Sequence, residues 1–339
     1  MILDSGKLNI LIDGQFGSTG KGLLASYIAC TNHIDIAVSN ASANAGHTFY
    51  YHGDKHIVKQ LPVTGVIRDR CLIYLCAGAI IHPPTLLAEI AKFNISRDRI
   101  RIHPRCAIIE DIDILNEKSD NSTVTKIAST QSGVGSALVR KINRSARLAE
   151  NTQSLKDMIG EIDLHYYMDQ DCFVLMEVPQ GFDLSISSGY AYPYCTSREI
   201  TISAALADAQ VHPSYMGKVA VCIRTYPIRV GNIVRNGKEL GCSGPFYSDS
   251  KEINWDDIGV DEELTTVTGR VRRVATFSKK QYVRMLNFMR PDYILLNFSN
   301  YMKKKDLAIL LNDLPEITHL GFGPGVEDVV VNHGYFNEG

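Results

Sequence analysis

A glycine-rich stretch near the start of the chain constrains the fold more than any other feature. Residues 14–22 read Gly-Gln-Phe-Gly-Ser-Thr-Gly-Lys-Gly, between apolar runs at residues 8–12 and 23–28. This order predicts a strand, a tight loop and a helix, whose first backbone N–H groups and positive dipole end can face an anion. Lys21 can reach the same anion as a point charge. We therefore predict a phosphate-binding loop at the end of a strand.

The loop departs from the common nucleotide-binding P-loop at two positions. That pattern requires Gly, four further residues and then Gly-Lys-Ser/Thr, whose hydroxyl serves Mg²⁺. Counting back from Gly20 places Gln15 at the first position, and Gly22 has no hydroxyl. A glycine-rich turn without a ligand is the alternative. Four glycines and a lysine within nine residues favour a phosphate site.

Composition argues against several classes of protein. The 339 residues carry a formal net charge of −2, so neither a nucleic-acid polymer nor a membrane surface is expected as the main partner. The eight cysteines are scattered without CxxC spacing, which predicts reduced thiols in a cytoplasmic protein, in the host cytoplasm if the chain is viral. Neither a basic leader nor an apolar run of 18 residues is found, so we expect no signal peptide and no membrane span.

Short apolar runs alternate with helical patterns, which predicts an α/β fold with a mostly parallel twisted sheet covered by helices and a P-loop-like core with loop insertions. Strands are expected at residues 8–13, 35–39, 72–76, 100–109, 172–178, 218–226, 293–298 and 318–321. Helices are expected at residues 21–30, 83–93, 135–148, 153–160, 197–208, 278–289 and 303–312. We expect residues 1–339 to form a single large domain, with residues 229–275 as a loop-rich excursion.

A second motif, Asn44-Ala45-Gly46-His47-Thr48, follows the apolar residues 36–38. A histidine after a strand can act as a general acid or donate to a phosphate near neutral pH. Together with residues 14–22, this motif resembles the adenylosuccinate synthetase family. Further segments extend the resemblance from about residue 8 to residue 325: residues 129–135 with Lys141 and Arg144, residues 177–181, residues 192–197 and the arginine-rich residues 268–273.

The resemblance implies a ligase in which a nucleoside triphosphate phosphorylates O6 of a purine monophosphate and the amine of aspartate then displaces the phosphate. Such chemistry needs positioning and charge compensation. The implied catalytic residues are Ser18, Lys21, His47, which would stabilise the transferred phosphoryl group, and Gln180, which would bind the purine at O6 and N7. Mg²⁺ would be held by Ser18 and the carbonyl group of Gly46.

The resemblance also implies three binding sites. The triphosphate site would comprise Gly17, Ser18, Thr19, Gly20, Lys21, Gly22, Gly46, His47, Thr48, Asn297, Gly321, Gly323 and Pro324. The purine-monophosphate site would comprise Ser18, Asn44, Ser129, Thr130, Arg144, Gln180, Thr196, Val230 and Arg270, with Arg144 contributed by the second subunit of a homodimer. The aspartate site would comprise Val267, Thr268, Gly269, Arg270 and Arg272, because a guanidinium fork matches a carboxylate.

Position 18 departs from the family members that act on inosine monophosphate, which carry Asp there as a base. A serine hydroxyl is a poor base at pH 7, so the chemistry cannot be unchanged. The short side chain leaves room for the amino group at C2 of guanine, which points to the phage-type, dGMP-specific branch of the family. That branch makes N6-succino-2-amino-2′-deoxyadenylate for 2-aminoadenine DNA. Water, Ser18 as a relay and Asp13 remain candidates for accepting the N1 proton.

Residues 296–299 lack the acidic residue with which the family reads guanine in GTP. A site without that carboxylate loses much of its selectivity for GTP, so we expect ATP or dATP as the phosphoryl donor, with Asn297 and residues 321–324 shaping the adenine pocket. The first alternative is an ordinary adenylosuccinate synthetase that uses inosine monophosphate and GTP. The second is a catalytically inactive nucleotide-binding homologue.

Overall fold

The computed structural model describes residues 1–118, 123–266 and 268–333. Its strands are β1 (Leu8–Asp13), β2 (Ile36–Ser39), β3 (His47–Tyr51), β4 (Asp54–Val58), β5 (Leu72–Leu75), β6 (Ile80–Ile81), β7 (Ile100–Ile102), β8 (Ala107–Ile108), β9 (Val174–Gly181), β10 (Met216–Arg224), β11 (Ile228–Arg229), β12 (Ile233–Arg235), β13 (Lys238–Gly241), β14 (Glu252–Ile253), β15 (Arg273–Ala275), β16 (Tyr293–Asn297), β17 (His319–Gly321) and β18 (Val329–Val331).

The α-helices are α1 (Lys21–Thr31), α2 (Val63–Ile67), α3 (Pro83–Lys92), α4 (Asp111–Glu117), α5 (Thr123–Lys126), α6 (Val134–Ile142), α7 (Leu164–Asp169), α8 (Ile202–Ala209), α9 (Trp255–Ile258), α10 (Lys279–Met289) and α11 (Lys304–Asn312). Short 3-10 helices lie at Arg97–Arg99, Ala149–Asn151, Gln153–Met158, Phe182–Leu184, Pro213–Tyr215, Ser299–Tyr301 and Val326–Asp328. Across the described ranges, no helix has the length and apolar character needed to cross a bilayer.

One large sheet organises the molecule and confirms the predicted α/β class. Its nine strands run in the order β18-β17-β16-β10-β1-β9-β2-β5-β7, and every neighbouring pair is parallel except β17 with β18. Strands that are buried on both faces need apolar residues at nearly every position. In the fully buried run from Leu8 to Asp13 the apolar residues are Leu8, Ile10, Leu11 and Ile12, and the two polar residues, Asn9 and Asp13, are both hydrogen-bonded.

Successive strand residues point to opposite faces of the sheet and build two separate cores. In β1, Leu11 packs into the core that contains residues of α1, α2 and α3. Its neighbours Ile10 and Ile12 pack into the other core, which contains residues of α7, α8, α10 and α11. Both faces of the sheet are therefore covered by helices, as a parallel sheet requires.

The carboxyl ends of five adjacent strands carry the segments that the sequence singled out. Neighbouring strands β16, β10, β1, β9 and β2 end respectively at Asn297, Arg224, Asp13, Gly181 and Ser39. In open parallel sheets, ligands bind outside these carboxyl ends. The loops that follow β1 and β2 contain the glycine-rich stretch and the Asn44–Thr48 motif, so the topology brings them to one edge.

Three predicted elements differ from the observed ones for local reasons. The predicted strand 100–109 is divided into β7 and β8 by a turn at residues 103–106, where Pro104 has no N–H for a strand ladder. The predicted helix 135–148 ends at Ile142, because Arg144 adopts left-handed backbone with φ +62°. The predicted helix 197–208 begins only at Ile202, after the Thr201 hydroxyl caps it.

Two further differences concern short elements. Residues 153–158 form a 3-10 helix where an α-helix was expected. The hairpin β3–β4 was not predicted, although its turn contains Gly53 with φ +85°. The excursion at residues 229–275 contributes to a small antiparallel sheet, β11-β15-β14, and contains the hairpin β12–β13. Ile228, Trp255 and Val274 form the core of that small sheet.

Candidate active site

The glycine-rich loop lies at the carboxyl end of β1, in a geometry suited to an anion. The chain passes through left-handed backbone at Gly17, Ser18 and Gly20, with φ values of +87°, +57° and +84°. Helix α1 then begins at Lys21. The first N–H groups of an α-helix have no partner within the helix, so they are free to bind an anion at this point.

Close packing explains why two loop positions must be glycine. A Cβ atom at Gly20 would lie 2.0 Å from the side-chain nitrogen of Asn297, and one at Gly22 would lie 2.0 Å from the carbonyl oxygen of Thr48. Both distances are far below van der Waals contact, so any side chain would push the loop out of place. Four residues predicted to hold a triphosphate therefore meet here, namely Gly20, Gly22, Thr48 and Asn297.

Asp13 supports the loop from its buried side. Its oxygens accept hydrogen bonds from the N–H of Gln15 at 3.2 Å, the N–H of Thr19 at 3.3 Å and the hydroxyl of Thr19 at 2.8 Å. Burial raises the pKa of Asp13 to about 6, and these bonds and the charge of Lys21 oppose that rise. Because both oxygens are occupied, the geometry favours a structural role for Asp13 over that of a base.

Lys21 and His47 meet beside the loop. Nζ of Lys21 lies 2.9 Å from Nδ1 of His47. Burial lowers the pKa of Lys21, and burial together with the charge of Lys21 holds the pKa of His47 well below its ordinary value. The imidazole is therefore neutral at pH 7. With Lys21 protonated, its ammonium group can only donate, so Nδ1 would accept from Lys21 and Nε2 would carry a proton that can be donated to a phosphate oxygen.

Ser18 contacts the arginine-rich segment directly. Its hydroxyl accepts a hydrogen bond of 2.7 Å from Nη1 of Arg272. Burial lowers the pKa of Arg272 to about 10, with the carboxylate of Glu263 opposing that shift, so Arg272 keeps its charge at neutral pH. A residue predicted to bind the purine and one predicted to bind aspartate are thus in contact.

An open cleft collects most of the residues predicted to hold the purine monophosphate. It is lined by Phe16, Asn44, Ile127, Ala128, Ser129, Thr130, Gln180, Leu184, Tyr194, Cys195, Thr196, Arg229, Val230 and Ser243. Gln180 has φ +69°, and its amide nitrogen donates to the side-chain oxygen of Asn44 at 3.0 Å. Gln180 lies near the end of β9, and Asn44 follows the neighbouring strand β2, which explains the contact.

Arg270 lies beside Thr265, whose N–H donates to the carbonyl oxygen of Arg270 at 2.8 Å. Its Nε donates to the hydroxyl of Thr268 at 3.0 Å, and its Nη2 donates to the carbonyl oxygens of Ala128 and Ser129 at 2.9 and 3.1 Å. The remaining nitrogen, Nη1, is buried without a hydrogen-bond partner within the described residues. A buried unpaired donor is costly, and a carboxylate would satisfy it.

Other predicted residues of the arginine-rich segment lie nearby. A Cβ atom on Gly46 would come 2.8 Å from Cγ2 of Thr266, so the Asn44–Thr48 motif packs against this segment. Gly269 adopts left-handed backbone with φ +66° directly before Arg270. Val267, which was also predicted to bind aspartate, lies outside the described residues.

Asn297 lies between the glycine-rich loop and Gly321, which both belong to the predicted triphosphate site. Its side chain donates to the carbonyl oxygen of Thr19 at 3.1 Å and accepts from the N–H of Phe298 at 2.8 Å. A Cβ atom on Gly321 would lie 2.4 Å from the side-chain oxygen of Asn297. Residues 323–324 lie between β17 and β18. Because the amide of Asn297 binds backbone groups, its role in an adenine pocket stays a prediction.

Arg144 does not join the cleft of its own chain. It is exposed, follows α6 and donates to the carbonyl oxygen of Ile142 at 3.4 Å. It is not among the residues that line the cleft. The predicted contribution of Arg144 to a second subunit stays a prediction.

Three charged residues near the site were not given roles from the sequence. Arg229 lies in the cleft, with its guanidinium 4.2 Å from the ring centre of Phe16 and its Nε donating to the carbonyl oxygen of Ser243 at 2.6 Å. Arg224 and Glu263 form an ion pair beside Ser18. One sequence feature could have identified Arg224 as a candidate site residue: it is a charged residue directly after the apolar residues 219–223, at the end of a strand.

The glycine-rich loop, the Lys21–His47 pair and the cleft agree with the family that the motifs suggested. The family model for adenylosuccinate synthetase matches residues 10–161 and 145–297. The chain belongs to the adenylosuccinate synthetase family.

Relatives within that family differ in how much of their length is matched. The N6-succino-2-amino-2′-deoxyadenylate synthase of Salmonella phage PMBT28 is 32% identical, and the match covers 95% of this chain and 97% of the relative. The adenylosuccinate synthetase of Pyrococcus horikoshii is also 32% identical, but the match covers 79% of this chain and 76% of the relative.

The fold has a close match among solved structures. The succinoaminodeoxyadenylate synthetase of cyanophage S-2L, bound to dGMP and to dATP as an energy donor, superposes with a TM-score of 0.85 at 32% identity. That match covers 96% of this chain and 95% of the other. It supports the expected single-domain α/β architecture over nearly the whole length.

Proposed function

We propose that this protein joins the amine of L-aspartate to C6 of dGMP, using dATP or ATP, and releases N6-succino-2-amino-2′-deoxyadenylate, the diphosphate and inorganic phosphate. The observation that carries this proposal is the contact between the Ser18 hydroxyl and Arg272. Ser18 is a small neutral residue at the position where family members specific for inosine monophosphate carry a carboxylate base. Full-length similarity to the phage synthases supports the same substrate.

The phosphate loop and His47 account for the first half of the reaction. The N–H groups at the start of α1 and the ammonium group of Lys21 bind the triphosphate, and the neutral imidazole of His47 donates to the phosphoryl group as it moves to O6 of the purine. These groups supply positive charge and hydrogen bonds where negative charge develops. Lys21 also orients His47, since it occupies Nδ1.

The cleft and the arginine-rich segment account for the second half. Asn44, Thr130 and Thr196 hold the monophosphate, and Gln180 hydrogen-bonds the purine at O6 and N7. The unpaired Nη1 of Arg270 takes a carboxylate of aspartate. Its amine then attacks C6 and the phosphate leaves with the former O6.

The proton on N1 must leave the purine without a carboxylate at position 18. The oxygens of Asp13 are occupied by Gln15 and Thr19, which favours water, or the Ser18 hydroxyl as a relay. A carboxylate at position 18 would accept from both N1–H and the C2 amino group of guanine, and would thereby stabilise the ground state.

Mg²⁺ belongs to this proposal as a companion of the triphosphate. Within the described ranges no group of three His, Cys, Asp or Glu side chains forms a metal site. The hydroxyl of Ser18 and the carbonyl group of Gly46 are hard oxygen donors, which suit an ion that takes most of its ligands from phosphate and water. The ion would neutralise charge on the phosphates.

A homodimer is the expected assembly. Helices α4 and α6 pack against each other, and α6 ends two residues before Arg144. Together they expose four apolar side chains: Ile112, Leu115, Val139 and Ile142. A second copy that covers this surface would bring Arg144 towards its partner's monophosphate.

The eight cysteines are free thiols, which supports a reducing compartment such as the cytoplasm.

Phosphate release tests the proposed reaction. The protein is incubated with Mg²⁺ and aspartate, and each of dGMP, GMP and inosine monophosphate is paired with dATP, ATP or GTP. We expect turnover with dGMP and either adenine nucleotide. Turnover confined to inosine monophosphate and GTP would identify an ordinary adenylosuccinate synthetase, and no turnover in any pairing would indicate an inactive homologue.

A mixing experiment tests the shared site. Arg144→Ala and His47→Ala proteins are each expected to be nearly inactive. When they are mixed and allowed to exchange subunits, one site per hybrid dimer regains both residues, so part of the activity should return. No recovery despite demonstrated exchange would refute the contribution of Arg144 to a second subunit.

A further inference from the structure

Arg224 is a buried arginine that touches both the phosphate loop and the excursion. It ends β10 and is fully buried. Its Nη1 donates to the carbonyl oxygen of Ser18 at 3.1 Å, and its backbone N–H donates to the side chain of Gln15 at 3.0 Å. Its guanidinium group lies 4.0 Å from the ring centre of Phe298. Arg224 therefore keeps a fixed position relative to the phosphate loop.

Glu263 binds this arginine from the excursion. Its oxygens accept bonds of 2.6 and 3.0 Å from Nη2 and Nη1 of Arg224, which is a two-point ion pair. The backbone carbonyl of Glu263 also accepts the N–H of Arg272 at 2.8 Å. Glu263 thus joins the base of the arginine-rich segment to a residue that is anchored in the main sheet.

Charge makes Glu263 important for the position of Arg272. Nε of Arg272 lies 3.9 Å from Oε2 of Glu263, while Nη1 of Arg272 binds the Ser18 hydroxyl. Without the carboxylate, the guanidinium groups of Arg224 and Arg272 would repel each other in a partly buried setting. Arg272 would then move away from Ser18, and the segment that carries Arg270 would lose its anchor.

We propose that the Arg224–Glu263 ion pair is a positioning element that fixes the aspartate-binding segment, in its described residues 264–266 and 268–272, against the phosphate loop. This inference rests on the proposed function, because it assigns aspartate to that segment. Neither residue contacts substrate in this account. Both act through Arg272 and Arg270, whose guanidinium groups must face the aspartate carboxylates at the distance set by the phosphate loop.

Glu263→Gln is the decisive variant, because glutamine keeps the shape and removes the charge. Arg224 keeps its bonds to Ser18 and Gln15, so the phosphate loop should remain intact. We expect the KM for aspartate to rise at least about tenfold, with the KM values for dGMP and dATP changing by less than about threefold. Amide hydrogen exchange should become faster at residues 264–272, whichever substrates the enzyme uses.

Glu252→Gln provides a matched control. Glu252 binds Arg273, the neighbour of Arg272, through two bonds of 2.6 Å, so this change also breaks a two-point arginine pair on the excursion. It has no bond to the phosphate loop among those of the described residues, and we expect wild-type KM values. Glu263→Asp keeps the charge but is too short for both bonds, so the KM for aspartate should rise selectively but by less than in Glu263→Gln. This variant replaces Glu263→Gln if Glu263→Gln does not fold.

The outcomes separate this inference from the proposed function. An unchanged KM for aspartate together with unchanged exchange at residues 264–272 would overturn the positioning role. An equal loss for all three substrates would also overturn it, because it would mean general destabilisation. Wild-type protein without turnover on aspartate, dGMP and dATP would instead refute the proposed function, and the exchange experiment would still decide the positioning role.

Discussion

Replacing Arg270 by methionine should affect both aspartate binding and stability. Methionine keeps much of the buried length of the side chain but removes every donor. The folded protein loses the bonds to Thr268, Ala128 and Ser129, each worth about 1.5–3 kcal/mol because the donor is charged. It also loses the buried unpaired Nη1, whose presence costs about 1–3 kcal/mol. The lost bonds outweigh this relief by a few kcal/mol, so we expect Tm to fall by roughly 3–10 °C.

Aspartate binding should weaken in addition. Nη1 is the nitrogen of Arg270 left to bind a carboxylate, and a hydrogen bond to a charged group contributes about 1.5–3 kcal/mol. Loss of one such bond corresponds to a roughly 10- to 10²-fold fall in kcat/KM for aspartate. The KM values for dGMP and dATP should change much less, because Lys21, His47 and most of the cleft are unaffected.

Phosphate release at varied aspartate, with dGMP and dATP saturating, measures this change, and thermal unfolding measures stability. Arg97→Met is the control, because Arg97 binds Asp157 on the surface through bonds of 3.0 and 2.8 Å. It should leave the kinetics unchanged. A fall in kcat/KM of less than about fivefold for Arg270→Met would refute the assignment of Arg270 to aspartate.

Three further predictions follow from contacts around the phosphate loop. Gly22→Ala should destabilise the protein by about 1–3 kcal/mol in chemical unfolding and weaken dATP binding, because its Cβ would lie 2.0 Å from the carbonyl oxygen of Thr48; wild-type values for both would contradict the packing argument. His47→Ala should lower kcat by about 10²- to 10⁴-fold with little change in the Kd of dGMP, and a near-normal rate would remove His47 from the chemistry. Asp13 has a folded pKa of about 6 against 3.8 for the free side chain, so its protonated form is favoured in the folded state. The unfolding free energy of wild type relative to Asp13→Asn should therefore fall as pH rises from about 4 to about 6 and stay level above, and a rise over that range would show that the sign is wrong.

Much of the architecture could be predicted because the relevant signals are local. The apolar runs at residues 8–13 and 293–298 form β1 and β16 within one residue of the predicted bounds. A parallel strand is buried on both faces, so its sequence is mostly apolar and easy to recognise. The predicted helix 135–148 was too long because propensity does not show where Arg144 turns the chain.

The candidate site was predictable where its residues form short motifs. Asn44, Thr130, Gln180 and Thr196 were named from separate segments, and the structure places all four in one cleft. Arg224 and Glu263 were missed because they are 39 residues apart and neither belongs to a motif. Their pairing depends on how the excursion folds back over the carboxyl end of β10, which no local pattern reports.

Three features follow from the amino-acid sequence alone: a glycine-rich loop after the first strand, an α/β fold, and a hydroxyl at position 18 in place of a carboxylate. Each of these is a property of neighbouring residues, since glycine spacing and apolar periodicity act over a few positions. The contact that the Ser18 hydroxyl makes is visible only in the folded chain. Arg272, 254 residues further along the chain, donates to it at 2.7 Å, because the main sheet and the excursion bring these two distant segments to the same edge.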